Sequence, residues 1–507
     1  MKKLLLIAAF MAALPSLALA TDFHVAKAGD GGSNSNTCVQ AQSVSTPKLT
    51  ITAGLACATG GTHRVLVRTG SYTEDLNALS ITIPNNVTLK NYMSEVVTLV
   101  GYLAPTNVSG MTVDGIKIDG TGKECGVCFN GTTNFELMNS DIFNAAVVIA
   151  SSNTGGGDND NIEIHHNRIH DNAGCNGCGT PGHDIYLVKS QMGPAEHWDI
   201  HDNEVYNALG DNNSFCITVY SNADASLNEG PIGVVLFHDN VVHDCRDGIG
   251  LHSTTGGKAY NNVVYNISDV GLVAGLFGIR GTDQQFINNL VFSADTCAKS
   301  ETIRAIWRNN ICFGNAVNSI VDTGTNSTKD HNLLGADPLW VNAGSADFRL
   351  RTGSPAIAAG LFNASVTLDI TGLTRPNPPS IGPYDVTAAA LFTISPTSGN
   401  QGATLNISVS GLNTNFVNAT SVATFSGTGI TVNSTTVSNA LTAVVNITLA
   451  GGATLGARNM TMTTGSEVVT LTNGFTVAGA PTAPTNLRTV FDPLIAVPRI
   501  AIAAEGR

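Results

Sequence analysis

An asparagine that recurs within a constant motif, but at uneven intervals, is the feature that most constrains this chain. The motif is an apolar residue, two polar residues, Asn, one further residue and a second apolar residue. It reads Ile164-His165-His166-Asn167-Arg168-Ile169, Ile200-His201-Asp202-Asn203-Glu204-Val205 and Phe237-His238-Asp239-Asn240-Val241-Val242. Ala259-Tyr260-Asn261-Asn262-Val263-Val264, Phe286-Ile287-Asn288-Asn289-Leu290-Val291 and Trp307-Arg308-Asn309-Asn310-Ile311-Cys312 continue it. Successive asparagines stand 36, 37, 22, 27 and 21 residues apart. A constant core with variable spacing describes a fixed coil carrying loops of different length, and short β runs without helical period make that coil part of a β-solenoid. Asparagine tolerates left-handed backbone at such a bend, and stacked copies satisfy turn groups that would otherwise be buried unpaired. The series is therefore read as a structural ladder.

Each asparagine bend is followed by a second short strand. Ile185-Tyr186-Leu187, Ile217-Thr218-Val219, Ile249-Gly250-Leu251 and Phe277-Gly278-Ile279 align, with the first and third residues inward. Weaker coils are legible at Val87-Thr88-Leu89, Met111-Thr112-Val113 and Phe135-Glu136-Leu137, so that roughly ten coils fit between Val65 and Leu334. Composition agrees: 53 glycines, 12% charged and 6% aromatic residues suit thin coils with uncharged turns. A net charge of −13 argues against a nucleic-acid-binding surface, which needs a basic footprint.

These coils resemble the right-handed parallel β-helix of the pectin-lyase-like superfamily. Val65-Leu66-Val67-Arg68-Thr69-Gly70-Ser71-Tyr72-Thr73-Glu74 is similar to that family's opening strand and turn. Asp337-Pro338-Leu339-Trp340, Asp347-Phe348-Arg349-Leu350 and Gly353-Ser354-Pro355-Ala356 are similar to its closing segment. The resemblance covers residues 22–386. It implies an all-β fold without implying one activity, because lyases, hydrolases, epimerases and adhesins share the coil. A second unit over 391–478 alternates short strands with Gly/Asn/Ser turns and reads as a small β-sandwich. Its Ser395-Pro396-Thr397-Ser398-Gly399 opening and Asn473-Gly474-Phe475-Thr476-Val477 close resemble an IPT/TIG immunoglobulin-like domain. Residues 479–507 have linker composition.

Residues 1–20 read as a secretory signal peptide: Met1-Lys2-Lys3, an apolar stretch to Leu19, and the small residues Ala18 and Ala20. No later segment is apolar enough over enough length to span a bilayer. Export places the ten cysteines where disulfides form. Cys38 and Cys57 flank an N-terminal turn that they can staple. Cys125-Gly126-Val127-Cys128 and Cys175-Asn176-Gly177-Cys178 have zinc-site spacing, but the exported context favours disulfides. Pairing of Cys216, Cys245, Cys297 and Cys312 is open.

Nine of the twelve histidines lie between His165 and His252, most of them at the polar bends. In the strand alignment Val188, Tyr220, His252 and Arg280 take equivalent outward positions, followed by Lys189, Ser221, Ser253 and Gly281. With coils about 4.8 Å apart, Lys189, Tyr220, His252 and Arg280 form a candidate catalytic strip. A tyrosine or lysine base beside an arginine suits β-elimination on a uronate: the base takes the C5 proton and the cation neutralises the carboxylate. Ile185-Tyr186-Leu187-Val188-Lys189-Ser190 is similar to the base-carrying strand of chondroitinase-B-type and alginate β-helix lyases. That family places an arginine one coil further on; here the next coil offers Tyr220-Ser221. Asp184, Asp211, Asp247 and Asp269 precede the strands. They read as turn supports, as a hydrolase carboxylate pair or as Ca²⁺ ligands.

Two functions follow from these readings. One is a secreted β-helix acting on or binding polysaccharide, in its enzymatic form a lyase of an acidic glycan and less readily a glycoside hydrolase. The other is a non-catalytic cell-surface or matrix protein that binds glycan. Neither involves nucleic acid or a membrane span.

Overall fold

The computed structural model describes residues 20–480 apart from 152–158, 175–181, 190–195, 209–213, 222–233, 253, 276–280, 352, 387–389, 413 and 466, and gives only the backbone for residues 189, 221, 390, 392 and 412. Two compact units divide between Val386 and Thr387. The first is a parallel β-helix. One face is a twelve-stranded parallel sheet that takes one strand from each coil, from Thr21–Val25 to Thr328–Asp330. Among the described residues the coils are twelve: Thr21–Val25 begins the first, and eleven fall in the span from Val65 to Leu334 where roughly ten are expected. Most other strands form two more parallel ladders, a second face and a third, while Trp340–Asn342 and Asp347–Leu350 make a separate antiparallel pair. The two ladders are counted as one nineteen-stranded sheet because Val263–Ala274 and Leu290–Ser300 run through both.

Inward positions stack in register. On the first face Val113, Leu137, Ile164, Ile200, Phe237, Ala259, Phe286 and Trp307 form one column. Ala259 sits between two phenylalanines, so small and large residues share the available volume. At the N-terminal end Thr50 caps the helix Ile51–Cys57, and Glu74 accepts from the Ile51 and Thr52 amides at 2.8 Å. The Cys38–Cys57 disulfide fastens that helix.

The asparagine ladder closes the corner between the first two faces. Asn203 Oδ1 accepts from the Asn167 backbone at 3.0 Å and from Asn167 Nδ2 at 3.1 Å. Asn203 Nδ2 donates to Ile164 O at 2.8 Å and to Asn240 Oδ1 at 3.1 Å. The same arrangement repeats through Asn240, Asn262, Asn289 and Asn310 to Asn332. The left-handed residue is not the ladder asparagine but the one before it: His166, Asp202, Asp239, Asn261, Asn288 and Asn309 have φ between 54° and 56°. That neighbour turns the chain and aims the asparagine inward.

The histidines form columns of their own. His165, His201, His238 and Tyr260 stack at ring-centroid distances of 5.0, 4.8 and 4.5 Å. Phe143, His170, Tyr206, His243 and Tyr265 stack at 5.4, 4.5, 4.9 and 4.8 Å on the second face. Carboxylates flank both ring nitrogens of His170, His201, His238 and His243. His238 lies 2.7 Å from Asp239 and 2.9 Å from Asp199, and His170 lies 2.8 Å from Asp171 and 2.9 Å from Asp141. Burial lowers the pKa of His238, but the two carboxylates outweigh it and raise the value to about 9. His170, with Lys117, holds Asp141 down at about 2.

A C-terminal segment packs on the second face, where Trp340, Phe348, Leu350 and Ile381 bury against Val263, Leu290 and Ile311. Buried Arg375 pairs with Asp385 at 2.9 Å and donates to Asn261 Oδ1 at 2.8 Å. The second unit is a β-sandwich. Its sheets are 390–395, 404–412, 442–449 and 430–439, and 398–400, 467–478, 456–464 and 422–425. Ile407, Val445, Ile447, Met460, Met462 and Phe475 fill the space between them.

Asn240→Ala removes hydrogen bonds at a fully buried position and leaves the Asn203 amide without its acceptor. It is expected to cost about 2–4 kcal/mol in chemical denaturation. Asn332→Ala, at the partly exposed end of the ladder, should cost less. The raised pKa of His238 means that its contribution to stability is complete below its ordinary value of 6.5 and is lost as pH rises through about 9. Thermal unfolding from pH 6 to pH 10, at the order-of-magnitude scale of such linkage, should show this loss. His238→Gln should flatten that part of the profile.

Candidate functional site

The third face carries a group of aromatic and imidazole side chains apart from the columns. Tyr186 and Thr218 are outward and in register with Gly250. Tyr220 follows Val219 at the end of its strand, and the His252 amide donates to Val219 O at 3.1 Å, which sets His252 beside Tyr220 on the next coil. The Tyr220 and His252 ring centroids are 6.2 Å apart. His183 stacks on Tyr186 at 4.5 Å, and Phe215 meets His252 edge-on at 5.1 Å.

Gly250 makes this arrangement possible. A Cβ there would stand 2.6 Å from His252 Nε2, 2.9 Å from Thr218 Oγ1 and 3.0 Å from Phe215 Cε1. The His252 ring therefore folds back over the glycine. His183 Nδ1 accepts from the Phe215 amide at 3.0 Å, which leaves its proton on Nε2. Burial, with a smaller contribution from His252, lowers the pKa of His183 to about 3, and burial lowers that of His252 to about 4. Both rings are neutral near pH 7. Tyr186 is pushed up to about 12, chiefly by burial. Thr218 Oγ1 is buried with no hydrogen-bond partner among the described residues. Two neutral imidazoles beside two phenols can accept, donate or relay a proton.

A cleft of about 590 Å³ opens on the same face. Tyr102, Asn77, Asn130, Lys123, Glu124, the Cys125–Cys128 disulfide and Tyr186 line it. Tyr186 thus belongs to both the cleft and the imidazole group. Lys123 lies over the Tyr102 ring at 5.5 Å and pairs with Asp75 at 2.8 Å.

Of the catalytic strip expected from sequence, two side chains are described. Tyr220 and His252 are neighbours. Lys189 faces Ser221 across the ladder; only its backbone is described. Arg280 lies outside the described residues, as does the strand Phe277-Gly278-Ile279 proposed to carry it. The register corrects that strand: Ile249, Gly250 and Leu251 pair with Leu272, Val273 and Ala274. Gly275, whose amide donates to Leu251 O at 3.1 Å, therefore follows on the coil after His252. Both segments have a strand's composition. The unbroken run Val263–Ala274 reaches the third face sooner than the preceding coil spacing suggests.

The three described acids, Asp184, Asp247 and Asp269, occupy different environments. Asp184 precedes Ile185 as core residues Val148 and Cys216 precede Ile149 and Ile217, and it is fully buried. Burial raises its carboxyl pKa well above the ordinary value, so the neutral acid is favoured. Asp247 and Asp269 both hold Arg246, at 2.8 Å each, and Lys299 stands 3.3 Å from Asp269. Burial raises Asp247 to about 6 despite Arg246. Asp211 lies outside the described residues. Among those described, the acids do not form the convergent oxygen set that Ca²⁺ requires; Arg246 already occupies the space between Asp247 and Asp269.

Cys216–Cys245 and Cys297–Cys312 complete the described disulfides, while Cys175 and Cys178 lie outside the described residues. His183, Tyr186 and Phe215 were not singled out by the strand alignment. Extending it two residues upstream of Ile185 and Ile217 brings His183 and Phe215 into one column. No protein-family model, no curated protein and no solved structure matches this chain. Gly250→Ala should displace His252 and destabilise the fold by roughly 1–3 kcal/mol. The His252 ring-proton NMR shifts and chemical denaturation check the two effects.

Proposed function

We propose that this chain is an exported, polysaccharide-directed β-helix whose ligand lies along the third face. The observation that carries the reading is the cleft of about 590 Å³ that shares Tyr186 with the imidazole group. Its volume falls in the ordinary range for ligand sites, and its amides, tyrosines and mixed charges suit the hydroxyls and apolar ring faces of sugars. A glycan held there extends toward Tyr220 and His252. In the enzymatic form, His252 takes the phenol proton of Tyr220, and Tyr220 then removes the C5 proton of an acidic glycan. The C4–C5 double bond forms as the C4–O bond breaks, the leaving oxygen takes the proton from His252, and Lys189 is the strip's cation for the uronate carboxylate.

The non-catalytic alternative is a glycan-binding surface or matrix protein. It is favoured by Gly275, rather than an arginine, following on the coil after His252. The pectin-lyase-like resemblance supports a carbohydrate role, and the IPT/TIG resemblance supports a spacer or binding role for the sandwich. A leader over residues 1–20 accounts for export, and the described disulfides fit an oxidising compartment.

Incubation with pectate, alginate and glycosaminoglycans, read by the ultraviolet absorbance of unsaturated uronates, tests the enzymatic form. Tyr220→Phe should lower turnover by about 10²-fold or more, while Tyr186→Ala should weaken glycan retention. Binding without product selects the non-catalytic form. A chain that neither cleaves nor retains any of these glycans contradicts the proposal.

A further inference from the structure

We propose that Glu136, Glu163 and His165 bind a divalent transition-metal ion, with zinc as the best chemical match, at the start of the imidazole column. The proposal concerns the first face and is independent of the glycan reading. At three places along the solenoid an acid stands against a base of the neighbouring coil: Asp22 meets Arg64 at 2.7 Å, Asp283 meets Arg304 at 2.6 Å and Asp330 meets Arg308 at 2.7 Å. Glu136, Glu163 and Asp199 instead form a row of three acids in the strand register, and Glu136 and Glu163 are the two that reach His165. Like charges at such positions disfavour the pairing. Among the described residues neither glutamate pairs with Lys or Arg. Glu136 meets His165 at 3.2 Å and Thr112 at 3.3 Å, and Glu163 meets His201 at 3.2 Å.

One oxygen of each glutamate and a ring nitrogen of His165 lie within 4.8 Å of one another. Small side-chain rotations bring such a set to the ~2.0–2.2 Å of zinc ligands. His165 also departs from the rest of its column. His201 and His238 place Nδ1 on Asp202 and Asp239, whereas His165 Nδ1 faces His166 Nδ1 at 2.8 Å. Two imidazole nitrogens at that distance share one proton. When His165 supplies it, its Nε2 lone pair points toward the carboxylates, and His166 becomes the outer partner that fixes the ligand tautomer. A mixed nitrogen and carboxylate set favours zinc over calcium. Side-chain exposures of 14% for His165, 36% for Glu136 and 51% for Glu163 leave room for ion entry and a water ligand.

The test uses the full chain without a polyhistidine tag, stripped with chelator and titrated with zinc chloride by calorimetry. One equivalent should bind, with affinity reduced at least about tenfold in Glu163→Gln and more in His165→Ala, as for loss of a zinc ligand. Asp283→Asn, at an exposed acid further along the face, should bind as the unaltered chain does. Circular dichroism confirms that the exposed, near-isosteric Glu163→Gln variant is folded, and its melting temperature should rise less with zinc than that of the unaltered chain. Absence of zinc binding overturns the proposal. So does binding that survives Glu136→Gln combined with Glu163→Gln, or calcium binding as tight as zinc binding.

Discussion

The structure depends on one hydrogen-bonding solution repeated along the solenoid. Turning each coil between its first and second faces leaves backbone groups away from water, where unpaired donors and acceptors are costly. The ladder asparagines satisfy them by joining each corner to the next. Asn240 Oδ1 accepts from the Asn203 backbone and side chain, while Asn240 Nδ2 reaches Ile200 O and Asn262 Oδ1. The preceding left-handed residue makes this geometry available. Because each asparagine needs one before and one after it, the corner holds a constant register although the loops elsewhere vary in length.

A constant register places chemically similar groups over one another, with different consequences for each type. Apolar residues gain a continuous core. Imidazole and phenol rings stack at 4.5–4.9 Å in His201, His238 and Tyr260 and in His170, Tyr206 and His243. Those stacks use the ring faces and leave mainly edges for solvent. Charges are less tolerant of repetition. The chain counters their repulsion by placing acids against bases, as at Asp330 and Arg308, or by bracketing a histidine with carboxylates, as at His238. Electrostatics and backbone hydrogen bonding are therefore coupled through the same register.

The third face differs because its side chains do not repeat. His183 and Phe215 precede the inward residues of adjacent coils, Tyr186 and Thr218 share an outward position, and Gly250 leaves space for the His252 ring. Variety in one register produces a cleft and a group of neutral imidazoles where identity elsewhere produces ladders. The two His populations consequently differ electrically: carboxylates raise His238 to about 9, whereas burial lowers His252 to about 4.

The sequence by itself determined the all-β coil architecture and the ladder positions, because each asparagine corner leaves a local signature of neighbouring residues. It also made the proximity of Tyr220 and His252 legible, since their strands begin with matching isoleucines. It did not determine the next register: Val270-Gly271-Leu272-Val273-Ala274 and Phe277-Gly278-Ile279 are both compatible with a strand, and pairing with Ile249–Leu251 selected the former. Nor did it distinguish the buried Asp184 from the ion-paired Asp247 and Asp269, because burial and partners come from distant coils. Tertiary structure decided which outward residues meet, since contact across a solenoid depends on the accumulated register of every coil between them.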